Sequence, residues 1–303
     1  MQEIKHGFYT PYFYWYFPII VAGEENLFEK EGLKLDVKDI VKSGQPEDKA
    51  QWYLTALQEG VRNFYFCCTW QGVYSTSSTK KGKVVAAAPS TLIKTFGVYT
   101  TKTSGISSIF DLATKNGRIA VNKNADSHYV TLKNLREFIP DNQINLVHTG
   151  GVEACLRALL DRKVEAATLA GPYAEFAEHI GLRKLLGLSR DEPSLVVMDD
   201  SVSNDTVGKF LRSINHGIKK IRENPEKYRG LYYSQFESVI RGEFPELITN
   251  LDGFKDRMTI PVWSDLRPLS SAEFNKTKDF MVDTGLPIGD AEYSKLVNPK
   301  LET

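Results

Sequence analysis

Short apolar runs separated by polar or glycine-containing breaks alternate with amphipathic stretches along most of the chain. The runs LKLDVKDIV (33–41), NFYFCC (63–68) and KVVAAAP (83–89) have the length and residue content of strands. Further strands are predicted at 4–9, 92–101, 118–124, 144–150, 165–171, 182–188 and 194–200. Repeated strand–helix units are typical of parallel sheets covered by helices. The pattern therefore predicts an α/β fold.

Helical periodicity fills the intervals between these strands and dominates the last third of the chain. Helices are predicted at 19–30, 47–59, 127–139, 151–163 and 172–181, with a short one inside 107–117. After residue 205 the pattern predicts helices at 206–224, 225–235, 236–250 and 270–284. The stretch TWQGVYSTSS (69–78) predicts a loop that leads into a helix or turn.

The segment KHGFYTPYFYWYFPIIVAG (5–23) places eight aromatic residues within the ten positions 8–17. It lacks the basic segment and the small-residue cleavage site of a signal peptide. It is too short, and too interrupted by Pro11 and Pro18, to span a bilayer about 30 Å thick. Two interpretations remain: alternate rings pack in a core, or rings at a strand's carboxyl end form the wall of a binding site.

Composition narrows the classes of partner. The 303 residues favour two domains, and 38 basic residues balance 38 acidic ones. Zero net charge gives no bulk field to hold nucleic acid or an anionic membrane, and no apolar run reaches about 18 residues. The three cysteines (Cys67, Cys68 and Cys155) fit neither a disulfide framework nor a metal-binding spacing. We predict a cytoplasmic monomer without nucleic-acid, membrane, metal or cofactor partners.

Candidate binding residues lie in the loops that follow the predicted strands, because open α/β sheets bind ligands at the carboxyl ends of their strands. Several of these loops place Gly, Ser or Thr before a helix, where free N–H groups can receive an anionic or carbonyl group. The candidate ligand-binding residues are Tyr9, Thr10, Tyr12, Trp15, Ser43, Trp70, Gln71, Gly72, Ser127, His128, Gly171 and Tyr173.

A structural role competes with ligand contact at most of these positions. Either Asp126 or Ser127 fits the N-cap of a helix, and His128 fits either a donor to an anion or a surface histidine. Trp70 and Gln71 fit either a cleft or the core. Glu153 fits the helix dipole better than the recognition of a cationic ligand.

Several segments in order resemble one family of substrate-binding proteins. FPIIVAGEENLFEKEGLKLDV (17–37), NFYFCCTWQGVY (63–74) and SSIFDLATKNGRIAVNKNADSHYVTLKNL (107–135) are similar to the sulfonate, taurine and pyrimidine-precursor binding group of the type II periplasmic-binding fold. CLRALLDRKVEAATLAGPYAEFAEHIG (155–181) and LSSAEFNKTKDFMVDTGL (269–286) continue the resemblance. It covers nearly the whole chain and is strongest to fungal intracellular members.

The resemblance implies two α/β lobes with mixed, mostly parallel sheets that close over a small ligand. We place the two crossings between lobes near 89–91 and 197–200, so that residues 1–90 with 200–303 form one lobe and residues 91–199 the other. The family also places ligand near Ser127.

The function implied is non-catalytic binding of a small aromatic or anionic metabolite in the cleft between the lobes. The alternative is an enzyme of pyrimidine or thiamine-precursor synthesis on the same scaffold. The related synthases use a histidine, a lysine that holds pyridoxal phosphate and a cysteine-rich motif. This chain has Lys49 in the corresponding region, but no histidine between His6 and His128 and only two cysteines in FCCTWQG. A third hypothesis is a regulatory module whose closure changes a protein contact.

Overall fold

The computed structural model describes residues 2–8, 10–39, 57, 59–90, 95–286 and 288–298. The chain divides into two compact units. The first unit contains Met1–Ser90, Glu192–Tyr228 and Val262–Thr303. The second contains Thr91–Asp191 and Arg229–Pro261. Each unit is built around its own five-stranded sheet.

The sheet of the first unit has the order β2-β1-β3-β10-β4. Its strands are β1 (Gln2–Phe8), β2 (Leu33–Asp39), β3 (Phe64–Cys68), β4 (Lys83–Ala88) and β10 (Ser194–Met198). Strand β10 runs antiparallel to its neighbours β3 and β4, while β1 runs parallel to β2 and β3. Strands β1 to β4 therefore end at one edge, where β10 begins. We call this edge the carboxyl edge of the first sheet.

Helices cover this sheet, whose strands β3 and β10 are buried along their whole length. The helices of the first unit are α1 (Phe13–Glu24), α2 (Leu27–Lys30), α3 (Thr69–Thr79), α8 (Asn204–Glu223), α10 (Ser271–Asp283) and α11 (Tyr293–Leu296). A helix that crosses another closely needs a small residue at the contact. A Cβ on Gly217 of α8 would lie 2.6 Å from the Pro18 carbonyl oxygen of α1, so glycine allows α1 and α8 to pack together.

The sheet of the second unit has the order β7-β6-β8-β5-β9. Its strands are β5 (Phe96–Thr100), β6 (Arg118–Val121), β7 (Asn145–His148), β8 (Ala166–Leu169) and β9 (Arg183–Leu188). Strand β6 is parallel to β7 and β8, and β5 is antiparallel to β8 and β9. Strands β6 to β9 therefore end at a common edge, which we call the carboxyl edge of the second sheet.

Helices of the second unit connect these strands. They are α4 (Ile109–Thr114), α5 (Asp126–Leu135), α6 (Val152–Leu160) and α7 (Pro172–His179). Helix α9 (Pro225–Glu243) continues into this unit and is followed by a 3₁₀ segment, Pro245–Leu251. The ring of Phe236 on α9 packs edge-on against Phe176 of α7, with 5.3 Å between centroids, so residues 229–261 share the core of this unit.

The predicted α/β class with mixed sheets is confirmed, and each predicted strand overlaps an observed one. Three observed helices differ from the prediction. Helix α1 begins at Phe13 rather than at residue 19, and helix α3 occupies the stretch predicted as a loop. Helix α9 spans the predicted break between residues 235 and 236. The helix predicted at 47–59 falls almost entirely outside the described residues.

The boundaries of the units differ from the lobes that we expected. Strand β10 pairs with β3 and β4, so residues 192–199 belong to the first unit and the second crossing comes before Glu192. Residues 229–261 belong to the second unit because their apolar side chains pack against α7. Within the described part of the chain, none of the helices combines the length and apolar character needed to cross a bilayer.

Candidate functional site

Three helices begin at the carboxyl edge of the second sheet, directly after three adjacent parallel strands. Their N-cap residues are Ala125 for α5, Gly151 for α6 and Gly171 for α7, and none of the three makes a side-chain capping bond. Alanine and glycine cannot supply one. Among helices that begin elsewhere, the hydroxyl oxygens of Ser108, Ser203 and Ser270 accept backbone N–H groups of α4, α8 and α10, whereas α1, α2 and α11 also lack a side-chain cap. The carboxyl edge therefore gathers three helix N-termini whose N-cap residues supply no capping side chain.

The N-terminus of α5 differs in detail from the sequence prediction. Asp126 and Ser127 were alternatives for the N-cap, but both lie inside the helix and Ala125 is the N-cap. Instead, the Ser127 hydroxyl oxygen accepts the backbone N–H of Asn122 at 2.8 Å and holds the loop after β6. Its own hydrogen is left to donate, so Ser127 can both shape the loop and bond a ligand.

His128 is neutral at physiological pH. Its Nδ1 accepts the backbone N–H of Asn124 at 3.3 Å, and Nδ1 of His148 likewise accepts the N–H of Lys123 at 3.0 Å. Burial, together with the nearby Lys123 and His148, lowers the pKa of His128 to about 4. Because Nδ1 is an acceptor, the ring carries its proton on Nε2. His128 can therefore donate one hydrogen bond but does not bring a positive charge to an anion.

An ion pair holds the N-terminal turn of α5 in place. Arg190 follows β9, and its Nε lies 3.0 Å from Oδ1 of Asp126 in the first turn of α5. The Arg190 side chain is fully buried, so its charge acts within the unit rather than in solvent. The sequence did not indicate Arg190, because 64 positions separate it from Asp126 and only the direction of β9 brings them together.

The loops before α6 and α7 are shaped by glycine. A Cβ on Gly151 would collide with the carboxylate of Glu153, which therefore lies over the beginning of its own helix. This position fits the helix-dipole role predicted for Glu153. Gly171 has a φ of +56°, which side chains rarely adopt, and its N–H donates to the Thr95 hydroxyl at 3.0 Å. The ring of Tyr173 is buried edge-on against Phe236, 5.4 Å between centroids, and packs within the unit.

The aromatic opening of the chain is mostly core. The backbone of Thr10–Tyr12 forms a 3₁₀ turn, after which the rings of 13–17 continue on α1 and are buried. Trp15 is buried, while Tyr12 is half-buried and packs on Tyr14 with 6.1 Å between centroids. Packing therefore accounts for most of the aromatic run. Tyr9 and Ser43 lie outside the described residues.

The candidates after β3 lie at the start of α3. Cys68 is the N-cap of this helix, and its Sγ accepts the backbone N–H of Gln71 at 3.4 Å. Trp70 is buried with its ring 6.4 Å from that of Phe280 on α10, and Gln71 is half-buried. A Cβ on Gly72 would lie 2.8 Å from Leu195 Cδ1, so Gly72 lets α3 approach the sheet. Packing thus explains Trp70 and Gly72, and Gln71 is the most accessible of the three.

The structure groups the sequence candidates by sheet. Ser127, His128 and Gly171 meet at the carboxyl edge of the second sheet, with Arg190 and Glu153 beside them. Tyr12, Trp15, Trp70, Gln71 and Gly72 belong to the first unit. No group of three or more His, Cys, Asp or Glu side chains in the described part of the chain is arranged to hold a metal ion.

Solved structures share this architecture at low sequence identity. The alkanesulfonate-binding protein SsuA from Xanthomonas axonopodis pv. citri, bound to MOPS, is 15% identical with a TM-score of 0.70 over 99% of this chain and 96% of that chain. The periplasmic aliphatic sulphonate binding protein SsuA from Escherichia coli is 14% identical with a TM-score of 0.72, over 100% and 94%. The Candida albicans CA3427 product, described as having the generic periplasmic binding protein fold, is 12% identical with a TM-score of 0.71, over 100% and 98%.

Sequence comparison gives the family. No curated protein matches the chain in sequence. The family model described as NMT1/THI5 like matches residues 15–228, which is well over half of the chain and includes β2 to β10. With the fold shared by the solved structures, the chain belongs to the NMT1/THI5-like family and has the periplasmic-binding-protein fold.

Proposed function

We propose that the protein is a binding protein for small molecules, which it holds at the carboxyl edges of its sheets. The observation that carries this proposal is the set of three helix N-termini without capping side chains after β6, β7 and β8. N–H groups and dipoles at helix N-termini favour an anionic or strongly polar acceptor. Two of the similar structures are described as sulfonate-binding proteins, and sulfonates are anionic. We therefore propose a small aromatic or anionic metabolite as the ligand.

The three N-termini suit binding because they are already formed. The Ser127 hydroxyl oxygen holds the loop after β6, the Arg190–Asp126 pair holds the first turn of α5, and Thr95 holds Gly171. A site whose groups are fixed before binding loses less entropy when the ligand arrives. The neutral Nε2–H of His128 adds a donor without a charge.

Native mass spectrometry of the protein purified from its own cells tests the proposal. A bound small molecule is expected, and its occupancy should fall in Ala125→Ser, because the new hydroxyl would take up an N–H at the start of α5. The matched control is Ser203→Ala, which removes the cap of α8. That variant should lose about 1 kcal/mol of stability but keep the ligand. A protein that carries nothing, or one whose occupancy is equal in wild type and Ala125→Ser, contradicts the proposal.

Catalysis is the alternative on the same scaffold. The lack of a histidine between His6 and His128 and the short cysteine stretch support binding instead. Lys49 lies outside the described residues. Incubation with pyridoxal phosphate separates the two functions: a Schiff-base absorbance that disappears in Lys49→Ala supports the enzyme, and no absorbance supports the binding protein.

We further propose a cytoplasmic location and a relationship to the fungal intracellular members of the group. The resemblance of segments 107–135 and 155–181 supports this relationship. The three cysteines are free and buried, which is typical of a reducing compartment. Cell fractionation checks the location, and recovery from a secreted or membrane fraction would contradict it.

A further inference from the structure

Three polar side chains near the carboxyl edge of the first sheet have no hydrogen-bond partner among the described residues. They are Ser90 after β4, Ser194 at the start of β10, and Trp263. Ser194 and Trp263 are each only 1% exposed, and the Ser90 hydroxyl oxygen is also inaccessible. We call these three residues the donor cluster. A buried donor without a partner is costly and therefore requires an explanation.

Strand register places the donor cluster on one face of the sheet. Ser194 pairs with Ala88 of β4, and Ser90 follows two positions later, which in an extended chain is the same face. Ser90 in turn pairs with Trp263 in an antiparallel bridge. Antiparallel partners project to the same side, and their diagonal neighbours lie within reach of long side chains. The three groups are therefore neighbours, although 173 positions separate Ser90 from Trp263.

The described residues that pair or pack with the donor cluster include apolar and uncharged side chains. Ser194 also pairs with Cys68, so Cys68 shares its face. The Trp263 ring packs on Phe17 of α1 with 6.3 Å between centroids, and Tyr16 packs on Phe66 of β3. A charge buried among such groups would be costly without an opposite charge. An uncharged acceptor carries no such cost.

We propose that the donor cluster hydrogen-bonds an uncharged acceptor of a small-molecule ligand, such as an amide carbonyl or an aromatic ring nitrogen. The indole N–H can only donate, whereas the two hydroxyls can also rotate to donate. This inference depends on the proposed function, because it assigns a ligand chemistry to the carboxyl edge of the first sheet.

Two matched probes test the proposed role of the donor cluster on the full chain. Benzamide offers a neutral carbonyl, and benzenesulfonate offers an anion on the same ring. Isothermal titration with wild type, Ser194→Ala and Trp263→Phe should show benzamide binding about 3- to 10-fold more weakly in each variant. Benzenesulfonate should be unaffected by either change. Thr277→Val is the control, since Thr277 on α10 also has a buried hydroxyl without a partner among the described residues.

Thermal unfolding without ligand gives a second readout. If the hydroxyl of Ser194 has no partner in the free protein, Ser194→Ala should melt at the same temperature as wild type or higher. A lower melting temperature would mean that the hydroxyl is bonded within the fold and would overturn the inference. Unchanged benzamide affinity in Ser194→Ala and Trp263→Phe, or no benzamide binding to wild type, would also overturn it.

The test separates this inference from the proposed function. A ligand carried from the cell, at equal occupancy in wild type, Ser194→Ala and Trp263→Phe, rejects the donor cluster and leaves the binding function intact. A protein that carries no ligand counts against the function itself. Circular dichroism of each variant shows whether the fold is retained.

Discussion

Arg190 and Asp126 form a buried ion pair, with 3.0 Å between Nε and Oδ1. The arginine side chain is inaccessible and that of the aspartate is 11% exposed. The pair joins the residue after β9 to the first turn of α5, at the edge where three helices begin. It therefore controls the geometry of this edge as well as the stability of the second unit.

Replacing one member of this pair should be severely destabilising. We expect Arg190→Met to cost about 3–5 kcal/mol of unfolding free energy, because the buried Asp126 carboxylate would lose this ion pair. The double variant Arg190→Met with Asp126→Leu should recover most of that loss. Arg241→Met is the control, since Arg241 forms an exposed pair with Glu237 on α9 and should lose less than about 1 kcal/mol. Urea unfolding of wild type and the three variants measures these changes. Equal losses of unfolding free energy in Arg190→Met and Arg241→Met would contradict this account.

Glu25 should make the first unit sensitive to acid. Its carboxylate bonds to Lys227 and Tyr228, and Lys220 lies 3.4 Å away. The Lys227 hydrogen bond, followed by that of Tyr228, lowers the pKa of Glu25 from 4.5 to about 2. A lowered carboxylate pKa contributes stability that is complete above pH 4.5 and is lost as the pH falls toward 2.

Between pH 4.5 and 2, the melting temperature of Glu25→Gln should change less with pH than that of wild type. Glu24→Gln is the adjacent control, because Glu24 is exposed and forms no ion pair with the described residues. Parallel curves for wild type and Glu25→Gln between pH 4.5 and 2 would refute the assignment.

His128 should destabilise the second unit when it is protonated. Burial lowers its pKa from 6.5 to about 4, so the folded chain resists a proton that the unfolded chain accepts. The stability present above pH 6.5 should therefore decrease as the pH falls toward 4, by about 1–2 kcal/mol. His128→Asn should remove this decrease, since the asparagine oxygen can still accept the Asn124 N–H. NMR titration of the ring gives the pKa directly. His216→Asn, at an exposed position on α8, is the matched control variant.

Gly72 should be required for packing of α3. A Cβ at this position would lie 2.8 Å from Leu195 Cδ1 and 3.1 Å from Cys67 Sγ, so Gly72→Ala should cost about 1–2 kcal/mol. Gly23→Ala on α1 is the control, because its Cβ would meet no atom within 4 Å. That variant should instead gain up to about 1 kcal/mol from helix propensity. Chemical denaturation distinguishes them, and equal stability of the two variants would exclude the packing role.

The strands were predictable because each is either a short apolar run, as in β3, β4 and β10, or a stretch with apolar and polar positions mixed, as in β1 and β2. Helix α1 was not, because it is buried on nearly all sides and shows no polar face, and because Pro18 lies inside it. Helix α3 was not predicted for another reason, which is that its Ser and Thr residues favour loops. In the structure the Thr76 and Thr79 hydroxyls bond back to the Gly72 and Ser75 carbonyls, each at 2.8 Å.

The candidate site was predictable only where it follows a strand directly. Ser127, His128 and Gly171 could be identified from their place after β6 and β8. Arg190, Ser194 and Trp263 could not, because no local pattern indicates them and their neighbours are distant in sequence. Their positions depend on strand order and register, which hydrophobic periodicity does not determine.

The place of β10 between β3 and β4 has a consequence for synthesis of the chain. The strands of the second sheet all lie within residues 96–188, so they can pair once that stretch has left the ribosome. In the first sheet, β10 is the strand that pairs with β4 in the described part of the chain, and it follows β4 by about a hundred residues. The nascent N-terminal segment therefore carries apolar strands with an incomplete sheet while residues 96–188 are being made, and this interval is when it most needs protection from aggregation.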